Sequence, residues 1–280
     1  MSATEQSATT SAWSRFVHQR RLVVGATITV LVILLALVGP LLAPHGENEV
    51  TGPPFSGTGV FGTDYLGQDI LSRLLYGGGI ILLIAVLGTV LGMVLGVLIG
   101  VVAAYAGGWW DEVIMRLNDV TLAFPQILLA LVILTAVDQP KTWMIVVLIG
   151  VSHAPRVARV ARGVALGLVS RDFVHAAEAL GERRSRVILA EVLPNMNAPL
   201  LAEAGLRLTY SIGLVAALGF LGFSTDPDKA NWGQMINENR LAISTQPWAV
   251  LAPVLIIAIF TIGTNLMADG IAQLSDRGRD

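Results

Sequence analysis

Six apolar runs alternate with polar stretches along the chain, and each predicts a helix that crosses a membrane. The first, Leu22 to Ala43, has 22 residues, enough for a hydrocarbon core of ~30 Å at ~1.5 Å per residue. It exceeds the roughly 7–15-residue apolar core of a signal peptide, so it reads as an uncleaved span with Pro40 and Pro44 at its far end. The second, Ile80 to Tyr105, carries Gly88, Gly92, Gly96 and Gly100 at every fourth position. Such glycines share one helix face and let a neighbouring backbone approach closely. The third, Val120 to Val137, follows Trp109, Trp110, Asp111 and Glu112; Arg116 and Asp119 are placed to pair, and Pro125 to kink it.

The fourth run is short. Trp143 to Pro155 is 13 residues, about 20 Å of helix, before Arg156, Arg159 and Arg162 recur every third position. This predicts a helix that leaves the bilayer with its arginines snorkelling. The fifth, Asn197 to Phe223, contains Glu203 and Arg207 at i, i+4 with the acid first, the favourable order for a pair. Charges inside a span are functional candidates by default, so the pair either stabilises packing or faces an internal cavity. The last runs from Trp248 to about Ala268.

Composition turns this pattern into a class. The 280 residues are 54% hydrophobic and 14% charged, against roughly 25% charged in soluble domains. Mean hydropathy is +0.69. The expected fold is an all-α integral membrane protein of six transmembrane helices. With no cysteine, disulfides, thiolate metal sites and iron–sulfur clusters are excluded. The four histidines, His18, His45, His153 and His175, have no zinc-helix spacing.

Charge orients the spans. With the N-terminus inside, 13 arginines fall on the inner side (15, 20, 21, 116, 156, 159, 162, 171, 183, 184, 186, 277 and 279). Four basic residues, Arg73, Lys141, Lys229 and Arg240, fall outside. The positive-inside rule therefore places both termini in the cytoplasm, with loops 44–79, 138–142 and 224–247 external. Trp109 and Trp110 near one face and Trp143 and Trp248 near the other fit interfacial belts. The chain divides into a tail 1–21, a first span 22–43, an external segment 44–79, a core 80–270 with a loop at 170–195, and a tail 271–280.

Two polar segments carry the information about function. In 44–79, Thr63 or Asp64 is expected to cap an amphipathic helix on the membrane surface, with Leu66, Ile70 and Leu74 on one face. In 170–195, Ser170 and Asp172 suit a helix start, and Phe173, Ala177 and Leu180 recur at helical spacing. Gly181 is placed to end that helix in a left-handed conformation, and Pro194 to stop a second one running from Ser185 to Leu193.

The second segment resembles the EAA coupling loop of ABC importer permeases, through Ala176, Ala177, Gly181, Leu193 and Pro194. His175 stands where that family has glutamate, and Glu191 where it has isoleucine. The string Gly62, Thr63, Asp64, Leu66, Gly67, Asp69, Leu71, Ser72, Arg73, Leu74, Tyr76 and Gly77 resembles the C-type permease of dipeptide, oligopeptide and nickel importers, with Gln68 replacing the usual arginine. The resemblance covers most of the chain, since residues 107–126 and Trp232, Gly233, Pro253 and 265–269 are also similar to that family; Ala268 and Ala272 depart from it.

The resemblance implies a subunit of an ATP-driven importer of short peptides in the bacterial inner membrane, or of nickel chelates or haem by the same architecture. Implied partners are a second, homologous permease completing a heterodimer, one or two ABC ATPase subunits carrying ATP and Mg, and an external substrate-binding protein. His175, Ala176, Ala177, Glu178, Gly181, Glu182, Arg183, Leu193, Pro194 and Asn195 would form the contact with the ATPase, with Arg184 and Arg186 helping to set its orientation. The glycine stripe would pack within the chain, or against the translocation path or second permease.

The chain shows no chemistry of its own. A Walker A loop needs Gly-Lys before Ser or Thr, yet Lys141 and Lys229 follow Pro and Asp. No Gly-x-Ser-x-Gly elbow occurs. An intramembrane enzyme using Asp64, Asp119 or Glu203 is the competing class, but Asp64 and Asp69, five apart on a capped helix, suit folding roles better. The arginines after Pro155 lack the aromatic interleaving of a nucleic-acid surface.

Overall fold

A computed structural model describes residues 20–223 and 228–277. Expectations resting on residues 1–19, on 224–227 and on Arg279 lie outside them. The described elements are α1 (Arg20–Leu42), α2 (Ile70–Tyr76), α3 (Gly78–Ala106), α4 (Gly108–Leu122), α5 (Gln126–Thr135), α6 (Thr142–Val169), α7 (Asp172–Ala179), α8 (Arg184–Val187), a π turn (Ile188–Val192), α9 (Leu193–Asn195), α10 (Asn197–Phe220), α11 (Trp232–Asn239), a 3₁₀ turn (Arg240–Ala242) and α12 (Trp248–Arg277). Among the described residues, pairing of the β kind is confined to two isolated bridges, Val50 with Gln68 and Thr63 with Asp69.

The centre of the molecule is α3 packed on α6. Gly88 meets Ile149, Gly92 meets His153 and Gly150, Gly96 meets Val157, and Gly100 meets Ala158 and Ala161. Both partner numbers rise together, so the two helices run in the same direction. A Cβ on Gly96 would sit 2.4 Å from the Val157 Cβ and 2.7 Å from the Ala154 carbonyl oxygen. Only hydrogen fits there. The stripe therefore serves packing within the chain.

Parallel α3 and α6 require the intervening chain to travel back, and α4 with α5 does so. The two helices are bent by 74° at their junction, where one straight span was expected. Pro125 supplies no N–H and disfavours helical backbone at Phe124, which splits the run. Among the described residues, five helical runs are long and apolar enough to cross a membrane by themselves, and the bent pair brings the number to six when its two helices are taken as one span.

Around the centre, α10 runs antiparallel to α12, with Gly205 against Ala268 and Thr209 Oγ1 3.0 Å from Thr264 Oγ1. The α1 helix lies antiparallel on α12 through Gly25, Gly263 and Gly270, whose Cβ positions are filled by the partner's atoms. A large apolar core joins Ile81, Ile84, Ile149, Trp232 and Phe260, and a second core at the other end joins Val101, Ala161, Val174, Val187 and Met196.

Several details differ from the sequence-based expectation. Asp119 pairs with Arg159 at 2.7 Å rather than with Arg116. Arg162 grips Asp111 with two contacts of 2.5 Å. Thus α6 continues through Pro155, with two of its arginines held by α4 carboxylates instead of snorkelling alone. The last helix runs on to Arg277, past the expected end at Ala268.

Replacing Gly96 by Leu should destabilise the α3–α6 contact by about 1–3 kcal/mol, the usual cost of overpacking. Gly213→Ala, where nothing lies within 4 Å, should be neutral. Thermal unfolding of the detergent-purified protein, followed by size-exclusion profile, distinguishes the two outcomes.

Candidate functional site

Two assemblies sit at opposite ends of the α3–α6 pair: segment 44–79 with 228–247 where α3 begins, and loop 170–195 where α6 ends. The first is built on tight turns. Gly62 and Gly67 have φ of 81° and 80°, which side chains with a Cβ rarely adopt. Thr63 is fully buried, its hydroxyl donating to the Pro53 carbonyl at 2.6 Å and accepting from the Ser56 N–H at 2.8 Å. Asp64 Oδ1 accepts from the N–H groups of Leu66 and Gln68, both at 2.9 Å.

The helix start is not at Thr63 or Asp64. It is at Asp69, whose carboxylate accepts from the Ser72 N–H at 2.8 Å and the Ser72 hydroxyl at 2.6 Å. Asp64 is consumed by the turn before it, which shortens α2 to Ile70–Tyr76 and leaves Leu66 exposed outside the helix. Nor does α2 lie on a membrane surface, because Ile70, Ser72, Arg73, Leu74 and Leu75 are buried. Gly77 and Gly78 then allow the Trp232 ring to press against the helix junction.

Arg73 is the hub of this end. Its Nη1 lies 2.5 Å from Asp64 Oδ2 and 3.0 Å from Glu238 Oε2, and it is 3% exposed. A buried guanidinium is tolerable only when paired and hydrogen-bonded. Here the pairing joins two segments far apart in sequence. Tyr65 N–H donates to Asn239 Oδ1, Trp232 Nε1 to the Leu74 carbonyl and Gln246 Nε2 to the Ser56 carbonyl. Burial, reinforced by the Glu238 carboxylate, holds the Tyr65 hydroxyl above the usual phenol range.

Glu238 and Asn239 escaped the sequence reading, which treated 224–247 as a polar loop and noted Trp232 only for its family resemblance. The available signal was Asn231, which caps α11 by accepting from Gly233 N–H, followed by Trp232 and Met235 one helical turn apart.

At the other end, α7 occupies Asp172–Ala179, and Gly181 follows with φ of 84°. The N–H groups of Gly181 and Glu182 donate to the carbonyls of Glu178 and Ala177 at 3.0 and 3.2 Å, which closes the helix end. The buried face is Val174 with Ala177, docked on the second core, rather than Phe173, Ala177 and Leu180. Phe173 is thus exposed and Leu180 86% exposed, alongside His175, Ala176 and Glu178. Glu182 pairs with Arg186 at 3.3 Å, and Arg183 caps α8 without a side-chain bond.

Pro194 does not end the second helix. The chain passes through it by a π turn in which the Leu193 N–H donates to the Ile188 carbonyl, five residues back. Leu193 packs on the second core, and Asn195 Nδ2 donates to the Glu191 carbonyl at 2.6 Å.

Within the core, Glu203 and Arg207 approach to 2.8 Å, an ion-pair contact whose angle is poor for a hydrogen bond. Both are 8% exposed, and the guanidinium stacks 5.0 Å from the Tyr210 ring centre. One turn further, Ser211 Oγ meets His153 Nε2 at 2.9 Å and Thr89 Oγ1 at 2.8 Å, while Gln126 Nε2 donates to the Ser152 carbonyl at 2.8 Å. This network across α3, α5, α6 and α10 also escaped the sequence reading, since its members are single polar residues in apolar runs. The carboxylates weighed for an enzyme, Asp64, Asp119 and Glu203, sit on separate elements and each is engaged by an arginine.

The family described as a binding-protein-dependent transport system inner membrane component matches residues 96–280, and the N-terminal TM domain of oligopeptide transport permease C matches residues 7–55. The dipeptide transport system permease protein DppC of Alkalihalophilus pseudofirmus is 33% identical over 271 residues, 95% of this chain and 88% of that protein. The di/tripeptide transport system permease protein DppC of Pseudomonas aeruginosa is 34% identical over 274 residues, covering 94% and 90%. The glutathione transport system permease protein GsiD of Escherichia coli is 32% identical over 271 residues, covering 94% and 88%. Among solved structures, an inward-facing MetNI methionine ABC transporter chain superposes with TM-score 0.54 at 15% identity, over 71% of this chain and 96% of that one. That likeness carries the fold alone.

Removing Arg73 leaves the buried Asp64 and the partly buried Glu238 without their shared cation. Arg73→Ala should therefore cost about 3–5 kcal/mol, the usual penalty for breaking a buried pair. Arg159→Ala, at an exposed pair, should cost under about 1 kcal/mol. Thermal unfolding of both variants in detergent gives the comparison.

Proposed function

The chain belongs to the family of binding-protein-dependent transport system inner membrane components, and we propose that it is a transmembrane subunit of an ATP-driven importer of short peptides. It is a multi-pass inner-membrane permease subunit. The peptide assignment is supported by the relatives named for dipeptide, di/tripeptide and glutathione transport. The observation that carries the mechanism is the placement of loop 170–195 at the end of α3 and α6 opposite the Arg73 assembly, with Phe173 and Leu180 turned outward.

In this proposal the loop is cytoplasmic and docks on ABC ATPase subunits, which bind ATP and Mg and hydrolyse the nucleotide. The arginine excess on that side supports the orientation. A second, homologous permease completes a heterodimer around the path, and an external binding protein delivers peptide to the 44–79 and 228–247 end. Closing of the ATPases moves α7. Because Val174 and Val187 are locked into the core shared with Val101 and Ala161, α3 and α6 move with it as one body. The Arg73 cluster links α2, which leads into α3, to α11, so the far end follows.

Nothing lies within 4 Å of a Cβ on Gly181, so substitution there acts through the backbone. Gly181→Pro cannot reach φ of 84°. Ala177→Arg would insert a charge on the docked face. Both variants should assemble the complex and retain ATP hydrolysis while dipeptide uptake in proteoliposomes falls on the order of tenfold, equivalent to about 1.4 kcal/mol of lost coupling. Normal uptake by both, at normal complex yield, would overturn the lever.

A further inference from the structure

The π turn borders a groove between the coupling loop and α3. Ile188 and Leu193 are five residues apart, which in a regular α-helix would set them about 140° apart around the axis. The wider turn closed by the Leu193 N–H on the Ile188 carbonyl brings both residues to one groove. Together with Ser185 and Leu189 they form one wall of a groove of about 260 Å³, whose other wall includes Leu98 and Val102 of α3.

 Leu98, Val102 and Leu189 are all more than half exposed, so the groove is open along its length.

We infer that this groove holds an acyl chain of an anionic phospholipid, with the headgroup on Arg184 and Arg186. The location argues for lipid rather than protein: Leu98 and Val102 are successive exposed positions on one face of a membrane-crossing helix, so the groove opens toward the bilayer. Its depth fits a chain descending from the headgroups. Val102 lies four residues from the end of α3, roughly 6 Å by helical rise. Exposed Trp109 and Trp110 mark the interface just beyond.

The charge of the rim selects the lipid. Ser185 lines the groove, and the exposed Arg184 and Arg186 stand on either side of it. Among the described residues Arg184 has no carboxylate at ion-pair distance, and Arg186 has only the exposed Glu182. Basic residues beside a pocket at the edge of a membrane helix favour anionic over zwitterionic headgroups. A lipid seated there would wedge between α3 and the π turn, fixing the coupling loop on its helix.

The test is lipid retention by the whole importer complex, purified from nanodiscs containing equal phosphatidylglycerol and phosphatidylcholine and weighed by native mass spectrometry. Wild-type protein should retain phosphatidylglycerol in preference to phosphatidylcholine on the order of tenfold. Arg184→Gln/Arg186→Gln should abolish the preference, and Leu98→Trp, which fills the groove from a lipid-facing position, should release both lipids. Equal retention of the two lipids by wild-type protein would overturn the inference. So would unchanged phosphatidylglycerol in either variant, provided its elution profile matches wild type.

Discussion

The contact between α3 and α6 is the constraint on which the other features depend. Four glycines bring two backbones so close that the Cβ positions on α3 are already occupied by α6 atoms. In a bilayer, where apolar side chains gain nothing by leaving lipid for protein, such close van der Waals packing is a main source of helix association. Because the two helices run parallel, the chain between them must return across the same thickness, and the bent α4–α5 pair follows from that. The partners of Arg159 and Arg162 follow as well, since α4 is brought alongside α6.

Each end of this pair carries one assembly, held by a different kind of force. Where α6 ends, the attachment is apolar: Val174, Val187 and Met196 fill the space beside Val101 and Ala161. Where α3 begins, it is polar and long-range in sequence, with Arg73 bridging Asp64 and Glu238. Apolar packing lets a loop rest on a rigid body and present its outer face to a partner. A buried charge cluster instead specifies one arrangement of two segments, because each alternative leaves a charge unpaired.

The spans were legible in the sequence because hydropathy and length suffice to find them. Helix ends and polar partners were not. Asp64 looked like a cap, yet a turn two residues on competes for its carboxylate, and Asp69 takes the role. Pro194 looked like a stop, but the π turn accommodates the missing N–H. Arg116 was the nearest cation to Asp119 in sequence, whereas Arg159 is nearest in space. The coupling-loop motif was readable as residue types, while its docked face was not, because Val174 and Phe173 are equally apolar and only the tertiary fit chooses between them.

The central claim is that α3 and α6 move as one body when the loop at their shared end is driven. The chain has no cysteine, so paired spin labels can be placed without background. Labels at Leu83 on α3 and Leu166 on α6, both exposed, report on the two helices from opposite ends. In the assembled importer their separation should be the same in the nucleotide-free and nucleotide-trapped states. A distance distribution that shifts between those states would contradict the account.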